Sequence, residues 1–254
     1  MAAVSGSRVD VVLFDLDDTL FAHRDSVARG LLAHLGAIGG FEAVDDASVV
    51  ALWHALEEEH YHSYLVGTLD FEGQRRARAR DFAAAHGLAL AADASGAWFD
   101  TYFEQYRAAW HLHTDTLPML AALAGHRLGI ITNGEPSFQQ RKLDQVGLAG
   151  HFEHVVASGA LGITKPDARI FAHTCGLFGV PPGAAAYVGD RLETDAIGAA
   201  SAGLLGVWLD RTGAASSDDL ARATAEGVQV IQSLAELPGL LGTAASTSDN
   251  HPNG

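Results

Sequence analysis

Short apolar segments that recur along the chain constrain its fold more than any other feature. They are four to six residues long, and helix-patterned segments separate most of them. Such runs predict strands that are buried on both faces. Their alternation with helices predicts an α/β fold, with a parallel sheet covered by helices. The predicted strands are residues 9–14, 128–132, 154–157, 185–188, 204–209 and 228–231.

The helical patterns divide the chain into a sheet-forming part and an insertion. In the second half, helices are predicted over residues 136–146, 167–177, 193–202 and 217–225. Residues 23–113 contain no convincing strand but carry helical patterns at 46–64, 71–86 and 95–111, and a helix over 115–124 would return the chain to the sheet. The predicted organisation is therefore a core over 1–22 and 114–242, a helical insertion over 23–113 and a disordered tail over 243–254.

The composition limits the classes of partner. With 254 residues, of which 48% are hydrophobic, the chain can bury a substantial core. A formal net charge of −15 argues against a nucleic acid polymer as partner, because such a partner requires a dense field of Lys and Arg. A small phosphorylated molecule stays compatible, since a bound cation and a few local donors can outweigh the net charge inside one pocket.

Cysteine usage and hydropathy predict the compartment. The single cysteine, Cys175, cannot form an intramolecular disulfide, and residues 1–8 lack the apolar stretch of a secretory signal. No apolar run approaches the ~20 residues that span a bilayer. We therefore expect a cytoplasmic protein that does not insert into a membrane.

Two carboxylates follow the first predicted strand. Asp15 and Asp17 stand just beyond its carboxyl end, where open α/β sheets bind their ligands. One carboxylate could attack a phosphate ester while the other handles protons, which would split a very slow hydrolysis into two easier steps. A turn or a helix N-cap explains an isolated Asp-x-Asp equally well.

Three later segments carry further polar groups. Thr132 and Asn133 end the second strand and could donate hydrogen bonds to phosphate, although Asn-Gly is also a common turn. Lys165 precedes a proline, and an isolated lysine is usually a surface charge. Asp190 and Asp195 follow the fourth strand and could complete a Mg²⁺ site, or could instead be acids at a helix N-terminus.

Taken together and in this order, these segments resemble the four motifs of the haloacid dehalogenase superfamily of hydrolases. The motifs are DLDDT, TNG, the lysine of TKPD, and GDRLETD, and the likeness covers residues 9–209. The resemblance implies a Rossmann-like parallel sheet covered by helices, with an inserted all-helical cap domain of the first type that closes over the site. The runs TNGEPSFQQRKLDQVGL and GITKPDARIF are most similar to the branch of pyrimidine 5′-nucleotidases and N-acylneuraminate-9-phosphatases.

The resemblance also implies a role for each matching residue. Asp15 looks like the nucleophile that becomes aspartyl-phosphate, and Asp17 like the acid that protonates the leaving alkoxide and later activates water. Thr132, Asn133 and Lys165 would bind the phosphoryl group. Mg²⁺ would be held by Asp15, the backbone carbonyl of Asp17, and Asp190. Asp195 would support this set, with Glu193 as a possible substitute.

These roles predict a Mg²⁺-dependent phosphatase for a small phosphorylated metabolite, a nucleoside monophosphate or a sugar phosphate, in a monomer or homodimer. A haloacid dehalogenase is one alternative, although it has no use for Mg²⁺ or for an acid such as Asp17. A phosphomutase is a second alternative. A non-catalytic protein that binds a phosphorylated ligand is the third.

Other residues of the insertion suggest different functions. The pairs His60/His62 and His111/His113 invite a zinc interpretation, but catalytic zinc normally needs three protein ligands, and alternate residues on a helix diverge. Histidines that are exposed or in the core are the favoured interpretation. The basic run Arg75, Arg76, Arg78 and Arg80 is interpreted as a solvated helix face, and the many aromatic residues as the packing of the insertion.

Overall fold

The computed structural model describes residues 9–242. Contacts along the backbone divide the chain into two compact units, residues 22–111 and residues 1–21 with 112–254. We call the first the helical unit and the second the sheet unit. The tail predicted over residues 243–254 lies outside the described residues.

The sheet has six strands, all parallel, in the order β3-β2-β1-β4-β5-β6. This confirms the predicted α/β class, and each predicted strand is present with ends that shift by two residues at most. The strands are β1 (Val11–Phe14), β2 (Arg127–Thr132), β3 (His154–Ala157), β4 (Ala185–Gly189), β5 (Leu205–Leu209) and β6 (Gln229–Ile231).

Eleven α-helices accompany these strands in the described part of the chain. They are α1 (His23–Ile38), α2 (Asp46–Leu65), α3 (Phe71–Ala85), α4 (Ala94–Ala108), α5 (Thr116–Ala122), α6 (Pro136–Gln145), α7 (Ser158–Leu161), α8 (Ala168–Phe178), α9 (Gly198–Ser201), α10 (Ser217–Ala225) and α11 (Leu237–Leu241). A π-helical turn, Leu192–Ile197, replaces the start of the helix predicted over 193–202. Within residues 9–242, no helix combines the length and apolar character that crossing a bilayer requires.

The helical unit consists of α1 to α4. The sequence patterns identified α2, α3 and α4 but not α1. Aspartates cap two of the helices: Asp45 accepts a hydrogen bond from the Ser48 amide, and Asp70 accepts one from the Gly73 amide. Gly30 of α1 lies so close to α4 that a Cβ there would be 2.4 Å from the Cα of Tyr106. Only glycine fits at this helix contact.

Aromatic rings form the core of the helical unit, as the sequence predicted. Trp53 is fully buried, and its ring centroid lies 4.6 Å from Tyr102 and 5.2 Å from Phe82. The predicted solvated arginine face is wrong for two of its four members. Arg78 is buried with its guanidinium 4.8 Å from the Trp53 ring, and Arg75 stacks on three phenylalanines. Both arginines cover aromatic surface with their flat guanidinium groups.

The order of the strands in the sheet determines where the residues that follow them meet. The chain runs from β1 to β2 and β3 on one side and then crosses to β4, β5 and β6 on the other, so β1 and β4 lie at the point where the order reverses. Phe14 pairs with Ile130 of β2 and Val188 of β4, so the three strands end within two residues of one another. Residues that follow these strands therefore meet at one edge of the sheet, where such folds bind ligands.

Candidate active site

Asp15 lies directly beyond β1, and the main chain fixes its position. Its amide donates to the Val188 carbonyl at 2.8 Å, which continues the β1–β4 ladder by one residue. The side chain is 9% exposed, so the carboxylate is nearly buried. Burial, opposed by Lys165 and reinforced by Asp195, raises the pKa of Asp15 to about 7.

Lys165 is buried and bound to three oxygens. Its Nζ donates to Asp15 Oδ1 at 2.7 Å, to Asp195 Oδ1 at 2.7 Å and to the Tyr187 hydroxyl at 2.6 Å. The hydroxyl of Tyr187 in turn donates a hydrogen bond to the Ile131 carbonyl at 2.8 Å. Burial acts to lower the pKa of Lys165, but the carboxylates of Asp15 and Asp195 raise it above its ordinary value. The ammonium is therefore charged and fixed beside Asp15.

Asn133 sets the position of Lys165 through the main chain. Its Oδ1 accepts from the Lys165 amide at 2.9 Å, and its Nδ2 donates to the Lys165 carbonyl at 3.1 Å. The two motifs are 32 residues apart in sequence. These contacts hold the lysine loop against the end of β2, and phosphate binding by Asn133 stays a prediction.

Two side chains of α6 hold the carboxylate of Asp17. Lys142 Nζ donates to its Oδ1 at 2.6 Å, and Gln139 Nε2 donates to its Oδ2 at 3.0 Å. The same Gln139 nitrogen donates to Thr132 Oγ1 at 2.8 Å. Because an amide nitrogen only donates, the Thr132 hydroxyl accepts this bond and keeps its proton for another acceptor. That leaves Thr132 able to donate to a phosphoryl oxygen, the role predicted for it.

Three carboxylates meet beside Lys165. Oxygens of Asp15, Asp190 and Asp195 all lie within 4.8 Å of one another, the only such group of three acidic, histidine or cysteine side chains in the described residues. Both oxygens of Asp195 accept hydrogen bonds from the protein, Oδ1 from Lys165 and Oδ2 from the Arg191 amide at 3.0 Å. Burial, followed by the carboxylates of Asp195 and Asp15, raises the pKa of Asp190 well above its ordinary value. One lysine is too little positive charge for three acids, so this arrangement suits a cation.

The π-helical turn decides which acid enters the site. The amides of Asp195 and Ala196 both donate to the Arg191 carbonyl, and this wider turn directs Asp195 inward. Gly189 makes room for it, because a Cβ there would be 2.4 Å from the Asp195 side chain. Glu193, the predicted substitute, is on the surface, where it pairs with Arg222 at 2.7 Å. The structure therefore does not bring Glu193 into the site.

Arg211 braces the loop that carries Asp17. The non-glycine residue Asp18 has a φ of 62°, in the left-handed region. The guanidinium of Arg211 donates to the Asp18 carbonyl at 3.2 Å and to the Thr19 carbonyl at 2.6 Å, and it also pairs with Asp115 at 2.9 Å. The turn is thus held by tertiary contacts, which the sequence did not indicate.

The remaining candidates lie elsewhere. His60 pairs with Asp81 at 2.7 Å, and His111 with Asp25 at 3.1 Å. Across residues 9–242, no group of three potential ligands includes a histidine. One histidine of each pair thus lies beside a carboxylate, and the described residues give no support for the zinc interpretation.

The comparisons with known proteins agree with this geometry. Residues 9–203 match the model of the haloacid dehalogenase-like hydrolases. The phosphoserine phosphatase of Thermus thermophilus is 32% identical, covering 79% of this chain and 88% of that protein. The N-acylneuraminate-9-phosphatase of Rattus norvegicus is 31% identical, covering 82% of this chain and 85% of that protein. These matches confirm the predicted resemblance to the phosphatase branch.

Solved structures share the fold. The HAD-hydrolase YfnB from Bacillus subtilis, bound to magnesium, superposes with a TM-score of 0.74 over 92% of this chain and 99% of that one, at 20% identity. Several dehalogenases match as well, at 20% to 24% identity. Identities this low show the fold alone, so the chemistry has to be argued from the side chains.

Proposed function

The chain belongs to the haloacid dehalogenase-like hydrolase family, and on that premise we propose that it is a Mg²⁺-dependent phosphatase that hydrolyses a small phosphorylated metabolite through an aspartyl-phosphate. The observation that carries the proposal is the position of two carboxylates with different neighbours. Asp15 is buried against Lys165, whereas the side chain of Asp17 is 27% exposed and hydrogen-bonded by Lys142. One acid suits attack, and the other suits proton transfer.

In the first step, a carboxylate oxygen of Asp15 attacks the phosphorus. The bond between phosphorus and the ester oxygen breaks, and that oxygen takes a proton from Asp17. Lys165 remains beside Asp15 throughout, where its charge offsets the repulsion between a carboxylate and a phosphate dianion. Thr132 has a hydroxyl proton available for a phosphoryl oxygen.

In the second step, water attacks the phosphorus of the aspartyl-phosphate. Asp17 takes a proton from the water, the bond between phosphorus and Asp15 breaks, and phosphate leaves. Asp15 is a carboxylate again and Asp17 is protonated, so the cycle closes with no other reactant. The same carboxylate therefore serves as acid and then as base.

The donor set at this edge fits Mg²⁺, which prefers oxygen ligands and keeps several waters. Asp15 and Asp190 would hold it with the backbone carbonyl of Asp17, while Asp195 would support the set through its bonds to Lys165 and the Arg191 amide. When bound, the cation neutralises charge on the phosphoryl group. The raised pKa values of Asp15 and Asp190 agree with this fit, because burial first and the neighbouring carboxylates second disfavour the charged forms, and a bound cation would offset both effects.

Turnover of p-nitrophenyl phosphate tests the proposal directly. Wild-type protein should release p-nitrophenol with Mg²⁺ and stop when EDTA is added, and Asp15→Asn should be inactive under both conditions. Asp10→Asn is the matched control, because Asp10 is an exposed aspartate just before β1, at the opposite end from Asp15. Turnover that is independent of metal, or undiminished in Asp15→Asn, would overturn the mechanism.

Metal binding can be measured without turnover. Mg²⁺ should raise the melting temperature of the wild type, since a ligand that binds only the folded state stabilises it. Asp190→Asn should abolish this increase, whereas Glu193→Gln should retain it because Glu193 pairs with Arg222 on the surface. An equal increase in wild type and Asp190→Asn would refute the proposed ligand set.

The rival activities differ in what they leave behind. A dehalogenase would release halide from a 2-haloacid without Mg²⁺, and it would have no ester oxygen for Asp17 to protonate. A phosphomutase would keep the phosphoryl group on its product and would need a sugar bisphosphate for priming. A non-catalytic binding protein would bind the ester without releasing phosphate. The partnered Asp17 favours a phosphatase over a dehalogenase and over a non-catalytic binding protein, and the fate of the phosphoryl group separates it from a phosphomutase.

The substrate class is proposed to be a nucleoside monophosphate or a sugar phosphate. Release of inorganic phosphate from a panel of both classes, with phosphoserine included, would identify it. The predicted cytoplasmic setting and the monomeric or homodimeric state remain predictions.

A further inference from the structure

The sequence contains only two lysines, Lys142 and Lys165, against fourteen arginines. Surface charge in this chain is therefore supplied by arginine, and lysine is kept for other positions. Both lysines are buried, with 1% and 5% of their surface exposed. Each binds one carboxylate of the first motif: Lys165 binds Asp15, and Lys142 binds Asp17. The four motifs account for Lys165 but not for Lys142.

Lys142 reaches Asp17 from α6, 125 residues away in sequence. Its Nζ lies 2.6 Å from Asp17 Oδ1, and 5.1 Å and 4.8 Å from the ring centroids of Phe21 and Phe138. Two aromatic rings thus stand over the ammonium, which can turn little. A buried cation needs a charged partner, and the carboxylate of Asp17 supplies one.

Gln139 lies one turn earlier on the same helix and fixes the other oxygen of Asp17. Its Nε2 donates to Asp17 Oδ2 at 3.0 Å and to Thr132 Oγ1 at 2.8 Å. Its Oε1 is buried and finds no hydrogen-bond partner among the described residues. Burying Oε1 of Gln139 without a hydrogen bond costs free energy, and the two bonds that Nε2 donates offset this cost. One helix face therefore holds both oxygens of Asp17.

We propose that Lys142, assisted by Gln139, is a positioning residue that keeps the Asp17 carboxylate aimed at the reacting phosphoryl group in both steps. This inference rests on the proposed function, since it concerns the same carboxylate. With Oδ1 bound to Lys142 and Oδ2 bound to Gln139, rotation of the carboxylate is blocked, while its second lone pairs remain available for a proton. Without the ammonium, Asp17 would rotate into its exposed side and lose alignment with the ester oxygen or the water.

Formation and hydrolysis of the aspartyl-phosphate should slow to different extents when Asp17 loses its fixed position. A p-nitrophenolate leaving group departs without a proton, so attack by Asp15 on p-nitrophenyl phosphate does not need Asp17. Hydrolysis of the aspartyl-phosphate needs Asp17 as a base whatever the leaving group was. A variant with a misplaced Asp17 should therefore form the aspartyl-phosphate at nearly the normal rate and hydrolyse it slowly.

Rapid mixing of Lys142→Met with p-nitrophenyl phosphate and Mg²⁺ tests the inference. We expect a burst of close to one p-nitrophenol per protein, followed by steady turnover reduced about 10²-fold, the scale of a catalytic group displaced by about 1 Å. Acid quench during the steady state should trap phosphate on the protein. Arg141→Met, which changes the exposed neighbouring cation on the same helix, should behave as wild type.

A double-variant cycle separates positioning from a merely structural role. In the Asp17→Asn background, Lys142→Met should have no further effect on steady turnover, because its only route to the chemistry is Asp17. Lys142→Arg should restore most of the turnover, since it returns a buried cation to the same carboxylate. If Lys142→Met does not fold, Gln139→Leu carries the same test, with the same burst and a smaller reduction in turnover.

The outcomes distinguish the two proposals. A wild type that releases no p-nitrophenol overturns the proposed function and this inference with it. A wild type that turns over, with Lys142→Met either unaffected or slowed equally in burst and steady phase, overturns the inference alone. A further loss on adding Lys142→Met to Asp17→Asn would also overturn it, because it would show a route that bypasses Asp17.

Discussion

Both units bury a group of charged side chains, but the two groups differ in their charge balance. In the helical unit, Arg78 donates to Glu57, and His23 lies 3.3 Å from the same carboxylate. Burial acts to raise the pKa of Glu57, yet Arg78 and His23 hold it well below its ordinary value. In the sheet unit, burial and crowding raise the pKa values of Asp15 and Asp190.

The difference separates a structural ion pair from a site. The charges around Glu57 satisfy one another, so the group can stabilise the helical unit without any further partner. The carboxylates around Lys165 are more numerous than their cation, and such imbalances are concentrated at functional sites. The difference in charge balance therefore makes the group around Lys165 the candidate for a function beyond folding.

The strongest test of the unbalanced group removes its cation. Lys165→Met should lower steady turnover of p-nitrophenyl phosphate about 10³-fold, because it removes a preorganised positive charge from the nucleophile. Lys165→Arg should recover little, since a guanidinium does not fit three oxygens around a single Nζ. A loss of less than tenfold for the methionine variant would mean that Lys165 is not part of the chemistry.

Changes in the charge-balanced group around Glu57 should alter the stability of the fold. Glu57→Gln leaves Arg78 buried without a charged partner and should lower the free energy of unfolding by about 3 to 5 kcal/mol. Glu59→Gln, an exposed position on the same helix, is the control and should change it by less than about 0.5 kcal/mol. Urea denaturation followed by circular dichroism measures both. Similar changes in the free energy of unfolding for Glu57→Gln and Glu59→Gln would contradict a stabilising role for the Glu57 group.

A buried histidine gives the helical unit a pH dependence of its own. His34 is 2% exposed, its ring lies 4.4 Å from that of Trp98, and burial lowers its pKa from 6.5 to about 4. Because the pKa of His34 is lower in the folded state, the unfolded state binds a proton more readily. The contribution of neutral His34 to the free energy of unfolding is therefore complete above pH 6.5 and is lost as the pH falls toward 4. The loss should reach up to about 3 kcal/mol.

The measurement for His34 is the free energy of unfolding at pH 7 and pH 5. His34→Phe keeps the aromatic contact without the titration, so the wild type should lose more stability than the variant between these two values. An identical change in both proteins would show that His34 does not titrate in this window.

The smallest effect is expected where one neutral bond supports the site. Tyr187→Phe removes the hydroxyl between Lys165 and the Ile131 carbonyl but leaves both carboxylates on the lysine. A neutral hydrogen bond contributes about 1 kcal/mol, so turnover should fall about fivefold with KM unchanged. A loss as large as that of Lys165→Met would place Tyr187 in the chemistry itself.

The sequence predicted those parts of the site that stand at strand ends. Asp15, Thr132 and Asp190 each follow a short apolar run, and parallel strands bring such positions to one edge whatever the details of packing. It did not predict Gln139, Lys142, Tyr187 or Arg211, since a polar residue on a helix or strand gives no sign of its distant partner. Asp195 was the predicted supporting acid with Glu193 as a possible substitute, and the π-helical turn directs Asp195 and not Glu193 into the site.

The amino-acid pattern by itself determined the order of strands and helices, the acidic edge and the family, because these depend on local periodicity and on motifs of a few residues. Only the tertiary structure decided that the two buried lysines bind Asp15 and Asp17. It also decided that Asn133 holds the loop of Lys165 and that Arg78 pairs with Glu57. Those outcomes depend on which side chains meet across tens of residues, where burial removes water and makes each charge require a partner.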